Sequence, residues 1–177
     1  MNFYYQKEKI GYEIGSIAKG GTTMSYEELA REIEKEGVEL IESKFNSENI
    51  KGLYVDNIIT VNSNISTEKE KKCILAEEIG HYYTSYGNIL DQSKLENRKQ
   101  ERKARGWAYE KLVGIVDLIN AFKYGVKNRY ELSEYLNVTE EFIEEAIKYY
   151  KEKYGLYYQI DNYVVYFEPL AILERRE

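Results

Sequence analysis

Two stretches of the chain are rich in β-branched and aromatic residues and are broken by the same dipeptide. Gly52 to Asn62, GLYVDNIITVN, sets such residues on either side of Asp56-Asn57, a pair that accepts the positive φ of a tight hairpin turn. LYYQIDNYVVYF, from Leu156, repeats the plan around Asp161-Asn162, and Pro169, the only proline, follows it. Val38 to Phe45 is short and mixed, and reads as a further strand. Between these lie helical patterns. Ser25 with Glu28 forms a capping box, each side chain bonding a backbone N–H that the first turn leaves free. That helix runs to about Glu36 and stops at Gly37. Thr67 with Glu70 offers a second box, which opens a helix ending near Gly87-Asn88. Leu95 to about Val113 brings Leu95, Ala104, Ala108 and Leu112 near one face and charges to the other. Glu131 to Gly155 reads as helix, a turn at Asn137-Val138, and helix, with Thr139 as N-cap.

This order predicts an α+β fold with a small N-terminal sheet, a helical C-terminal part and a terminal β-hairpin. Residues 1–23 show no sustained period, end in Gly20-Gly21, and read as an extension. Residues 24–125 then form the main domain, and 126–177 a helical subdomain with the hairpin, packed on it.

Composition narrows the picture. A chain of 177 residues with 43% hydrophobic and 32% charged residues suits one globular domain with an apolar core. No apolar run reaches the length of a membrane span and no secretory signal opens the chain, so the cytoplasm is the expected location and no membrane partner is expected. A single cysteine, Cys73, leaves neither a disulfide nor a thiol pair for zinc; it reads as core, as does Trp107. The net charge of -6 and pI near 5.1 weigh against nucleic-acid binding. The basic run KLENRKQERKAR, Lys94 to Arg105, reads as a solvated helix face. The Glu131–Gly155 unit has the outline of a DNA-reading helix-turn-helix, yet four glutamates in TEEFIEEA would face phosphates badly. Phe142, Ala146 and Tyr149 pack inward in this reading, and the acidic side is left to meet a basic protein.

The chemistry gathers at Glu77-Glu78-Ile79-Gly80-His81, which holds the only histidine. On a helix, positions 77 and 81 stand ~40° apart around the axis, one turn from each other, so both side chains can grip one ion. Glu78 lies beside them, placed to take a proton from water without being a ligand. A zinc peptidase helix would read H-E-x-x-H; here a glutamate stands first, and carboxylate oxygen is an acceptable zinc ligand. The apolar run Cys73 to Ala76 with Ile79 puts these polar groups where burial would make unpaired carboxylates costly and a cation favourable. A third ligand is needed. Asp91, Glu96 and Glu101 are the downstream candidates; Glu101 leads because Ala104 and Ala108 on its side let that helix pack closely, and Asp91 is second. Tyr82 or Tyr83 could reach an oxyanion, but in a chain with 19 tyrosines they read as packing.

From about Met24 to Glu145 the sequence resembles the ImmA/IrrE family of metallopeptidases. The resemblance rests on KGLYVDNIITVNSNIS, on EKKCILAEEIGHYYTSYGN, and on QERKARGWAYEKLV, which is similar to the family's E-x-x-A-x-x-F-A pattern at Glu101, Ala104, Trp107 and Ala108. It implies a zincin-like fold with Glu78 as general base, His81 and Glu101 as metal ligands, and Glu77 in place of the first zinc histidine. Zinc with one imidazole and two carboxylates would have lower Lewis acidity, and harder ions such as Mn²⁺ or Fe²⁺ become alternatives. The family tie also implies a phage or mobile-element setting and a helix-turn-helix repressor as the substrate. A repressor-binding module on the same fold that does not cut is the competing reading.

Overall fold

The computed structural model describes residues 23–47, 49–84 and 95–175. Its elements are α1 (Tyr26–Lys35), β1 (Glu39–Ser43), β2 (Gly52–Val55), β3 (Ile58–Asn62), α2 (Glu68–Thr84), α3 (Leu95–Leu112), α4 (Ile115–Tyr124), α5 (Arg129–Leu136), α6 (Glu140–Tyr154), β4 (Tyr157–Ile160), β5 (Tyr163–Phe167) and β6 (Leu170–Glu174). The mixed α+β architecture anticipated above is the one that forms.

The capping box at Ser25 closes as read, with Glu28 N–H donating to Ser25 Oγ at 3.2 Å and Ser25 N–H to Glu28 Oε2 at 2.7 Å. It points Leu29 and Ile33 into the core. The N-terminal sheet runs in the order β1-β3-β2, with β1 parallel and β2 antiparallel to β3. Central β3 carries the fully buried Ile59 and Val61, while β2 is left as an edge strand. Asp56 and Asn57 both take positive φ, 50° and 66°, as a two-residue hairpin loop demands. Asn57 Nδ2 also donates to Gly37 O at 2.7 Å, tying the hairpin tip to the end of α1.

Helix α2 is buried on most of its circumference, through Lys72, Cys73, Ile74, Leu75, Ala76, Ile79, Gly80 and His81. A helix without one apolar stripe belongs in the middle of a fold, and α2 packs against α1, β2, β3 and α3. Its start differs from the expected box. Thr67 Oγ1 accepts from Glu70 N–H at 3.2 Å, but the Glu70 carboxylate goes to Lys51 Nζ at 2.7 Å instead of returning to the cap. An ammonium in reach outcompetes a neutral N–H.

The structure adds one helix at the end of the 24–125 segment and one strand in the C-terminal part to the expectation. Between Val113 and Asn128 stands α4, capped by Asp117, which accepts from Gly114 N–H at 3.1 Å, and closed by Gly125 at φ 98°. After the Asp161-Asn162 turn, where only Asp161 has positive φ, the chain passes Pro169 and returns as β6. The hairpin is therefore a three-stranded meander, β4-β5-β6. Helix α6 starts at the Thr139 cap and packs Phe142, Ile143, Ala146 and Tyr150 into the core, with Tyr149 half-buried beside them. Its acidic face is partly neutralised by the chain's own cations, since Arg129 reaches Glu140 and Glu144, and Arg102 reaches Glu152. Cys73 is buried, and Trp107 is partly buried against the core.

Candidate functional site

Helices α2 and α3 meet almost at backbone level. A Cβ placed on Gly80 would lie 2.2 Å from the carbonyl oxygen of Ala104, so no side chain fits between the two helices there. This contact decides which residues face each other. His81 follows Gly80 on α2, Glu101 stands one turn before Ala104 on α3, and His81 Nε2 comes to 3.2 Å from Glu101 Oε2. The second oxygen of Glu101 accepts from Arg105 Nε at 2.8 Å, an i,i+4 pair along α3. One carboxylate thus bridges an imidazole and a guanidinium.

Glu77 and Glu78 stand one turn before His81. Burial pushes Glu77 up to about 7; the Arg105 charge opposes this, and Glu101 and Glu145 add to it. Glu78 is also pushed up to about 7 by burial and by its acidic neighbours, against the opposing pull of His81 and of the Tyr54 backbone N–H. The edge strand β2 lies directly on Glu78, because a Cβ on Gly52 would be 2.6 Å from Glu78 Oε1. Burial pulls the His81 imidazole down, but its hydrogen bond to Glu101 and the charges of Glu78, Glu101 and Glu77 outweigh that and leave its pKa raised. Glu101 moves the opposite way, lowered chiefly by the His81 hydrogen bond. Beyond the carboxylates runs a line of rings, Tyr54, Tyr82, Tyr83 and Trp107, with successive centroids 5.8, 4.9 and 5.2 Å apart. Tyr82 and Tyr83 are members of that line, as packing would have them.

A protein-family model described as Peptidase_M78, the IrrE N-terminal-like domain, matches residues 33–148. The chain belongs to this family. No curated protein and no solved structure matches it. The matched span runs from the end of α1 through α2 and α3 into α6, so the whole candidate site of this Peptidase_M78 chain falls inside it.

Membership in a metallopeptidase-type family implies a divalent ion, and the donor chemistry fits one. One imidazole and two carboxylates suit Zn²⁺ and harder divalent ions alike. The raised Glu77 and Glu78 mark a buried surplus of negative charge that a cation would offset. His81 and Glu101 are already in contact. Glu77 has not joined them: among the described residues no three His, Cys, Asp or Glu side chains are drawn together as a ligand group. The strongest charge acting on Glu77 is instead that of Arg105. Of the other candidates, Asp91 lies outside the described residues, as do the side chain of Glu96 and the Gly87-Asn88 helix end.

Arg105 is the residue that the sequence reading assigns to a solvated basic face. Its side chain is exposed, 44% accessible, in keeping with that reading, and its Nε is held by Glu101. The only signal in the sequence is its i,i+4 spacing from Glu101, which on an exposed helix carries little weight.

Proposed function

We propose that this Peptidase_M78 chain is a metallopeptidase-type regulator that acts on a helix-turn-helix repressor of a phage or mobile element. His81, Glu101 and Glu77 would hold the ion, Zn²⁺ first and Mn²⁺ or Fe²⁺ as alternatives, and Glu78 would serve as general base. The observation that carries this reading is the His81–Glu101 contact across two helices locked at Gly80 and Ala104, with the partly buried Glu78 carboxylate beside it.

When bound, the ion would supply Lewis acidity toward a peptide carbonyl. The rest falls to the chain. The backbone N–H of Tyr54 orients the Glu78 carboxylate. Placed beside the proposed ligands, that carboxylate would take a proton from water and return it to a leaving amine. Glu101 fixes the imidazole of His81. The edge strand β2, lying on Glu78, excludes solvent from one side.

The test is the metal content of the purified protein beside His81→Ala and Glu101→Ala. About one ion per chain in the wild type, lost in both variants, is expected; a protein that takes up none of Zn²⁺, Mn²⁺ or Fe²⁺ would sink the metal reading. Cleavage of a candidate repressor, abolished by Glu78→Gln, then separates cutting from capture.

A further inference from the structure

Glu101 is the residue through which the site is coupled to the protein's own positive charge. Its Oε2 faces His81 at 3.2 Å and its Oε1 accepts from Arg105 at 2.8 Å. A carboxylate serving an ion must present an oxygen to it, and in Glu101 Oε1 is held by Arg105 while Oε2 faces His81, the other proposed ligand on this pair of helices. The placement is set by the fold. Positions 101, 105 and 109 follow one face of α3, and Tyr109, next in that row, donates to Glu145 at 2.7 Å. Gly80 and Ala104 hold this row against α2. A guanidinium is weakly hydrated and suited to pairing with a carboxylate, so Arg105 can hold Glu101 at small desolvation cost.

We propose that Arg105 is a built-in competitor of the divalent ion, its guanidinium already holding the Glu101 carboxylate that the ion would need. Arg105 is a positioning residue in this scheme: it touches Glu101 and not substrate. The consequence is a centre whose loading is conditional, weak at low ion concentration and strengthened by whatever draws Arg105 outward. With about half of its side chain in solvent, the guanidinium has somewhere to go. An acidic group on a bound protein partner could hold it there.

This rests on His81, Glu101 and Glu77 being the donors, and the experiment separates the two ideas. The full chain, stripped with chelator, is titrated with Zn²⁺ and with Mn²⁺ in competition with a chromophoric chelator. Wild type is compared with Arg105→Ala, Arg105→Gln and Arg105→Lys, each checked for fold by circular dichroism. Removing one adjacent cation should tighten binding by about tenfold or more in Arg105→Ala and Arg105→Gln, while Arg105→Lys, which keeps the charge, stays within about threefold of wild type. Gln fills most of the space of Arg, so a packing defect in the Ala variant does not decide the result. Wild type that binds the ion as tightly as Arg105→Gln overturns the competitor role and leaves the metal reading standing. Failure of every variant to bind either ion overturns both.

Discussion

One helix, α2, carries a buried cation in one half and partly buried carboxylates in the other, and handles them differently. In its N-terminal half, Lys72 is 1% exposed and donates to Leu136 O at 2.9 Å, a carbonyl at the end of α5. Burial pulls that ammonium down to about 8. In its C-terminal half, Glu77, Glu78 and His81 meet Glu101 and Arg105 in a group where acids outnumber bases. The lysine has one fixed partner and serves as a tie between α2 and the α5–α6 unit. The carboxylates share partners and keep charge to spare. Burial alone does not mark a functional site; unneutralised burial does.

The sharpest way to break the comparison is at the contact that builds only one half. Gly80→Ala puts a Cβ 2.2 Å from a backbone oxygen, which cannot move aside as a side chain could. The expected cost is about 4 kcal/mol, or a melting temperature lower by roughly 8–16 °C, with loss of metal uptake. Gly52→Ala is the control. Its Cβ would meet the Glu78 carboxylate and the Ile74 methyl, side chains that can shift, so stability should fall less while the position of Glu78 is disturbed. Equal melting temperatures for the two variants would show that the α2–α3 approach is not rigid.

Next in size is Lys72→Ala. It removes the buried stem and leaves the Leu136 carbonyl without its donor, so about 3 kcal/mol should be lost in denaturant unfolding. Lys72→Met keeps the stem and deletes the buried charge, and should cost about 1 kcal/mol or less. A Met variant as damaged as the Ala variant would make Lys72 more than a tie.

These two halves also differ in how legible they were. The strand-rich runs, the Ser25 box, the Thr139 cap and the span of α3 follow from local pattern, and all are present. Glu77, Glu78 and His81 could be placed on one face because a helix fixes their spacing, and Glu101 could be chosen because alanines beside it promise close packing. Helix α4 escaped because it is short and bracketed by Gly114 and Gly125, which read as loop. Strand β6 escaped because the chain turns at Pro169, which reads as an end. Arg105 and Lys72 escaped for another reason. A basic side chain on a helix is exposed by default; Lys72 departs from that through the packing of α2 against the end of α5, and Arg105, though exposed, takes Glu101 as a partner that spacing alone does not single out.

Titration sharpens the contrast without disrupting the fold. The unfolded value for a glutamate is near 4.5, and folding raises Glu78 to about 7. A folded state that binds the proton more tightly gains stability below about pH 4.5 and loses that gain as pH rises through about 7. In chelator-treated protein, Glu78→Gln should therefore be nearly neutral at pH 5 and more stable than wild type at pH 8. Lys72 runs the other way: its lowered value penalises the folded state below about pH 8, and the penalty fades as pH rises toward 10.5. The small deficit of Lys72→Met against wild type should thus be least below pH 8 and grow above it. A Glu78→Gln variant with the same advantage at both pH values would mean that Glu78 is not the buried, crowded carboxylate described.

The smallest effect is expected at Arg102, three residues before Arg105 on α3. Arg102 pairs with Glu152, but 66% of its side chain is exposed. An ion pair in that setting loses in side-chain entropy and screening most of what it gains in attraction. Arg102→Ala should change stability by less than about 0.5 kcal/mol and leave ion affinity unchanged at moderate salt, since a solvated charge away from the α2 face is screened from it. Arg105→Ala on the same helix should change ion affinity while costing little more in stability. If both arginines shift ion affinity equally, the effect belongs to the overall charge of α3; if only Arg105 does, it belongs to the place where Gly80 and Ala104 bring the two helices together.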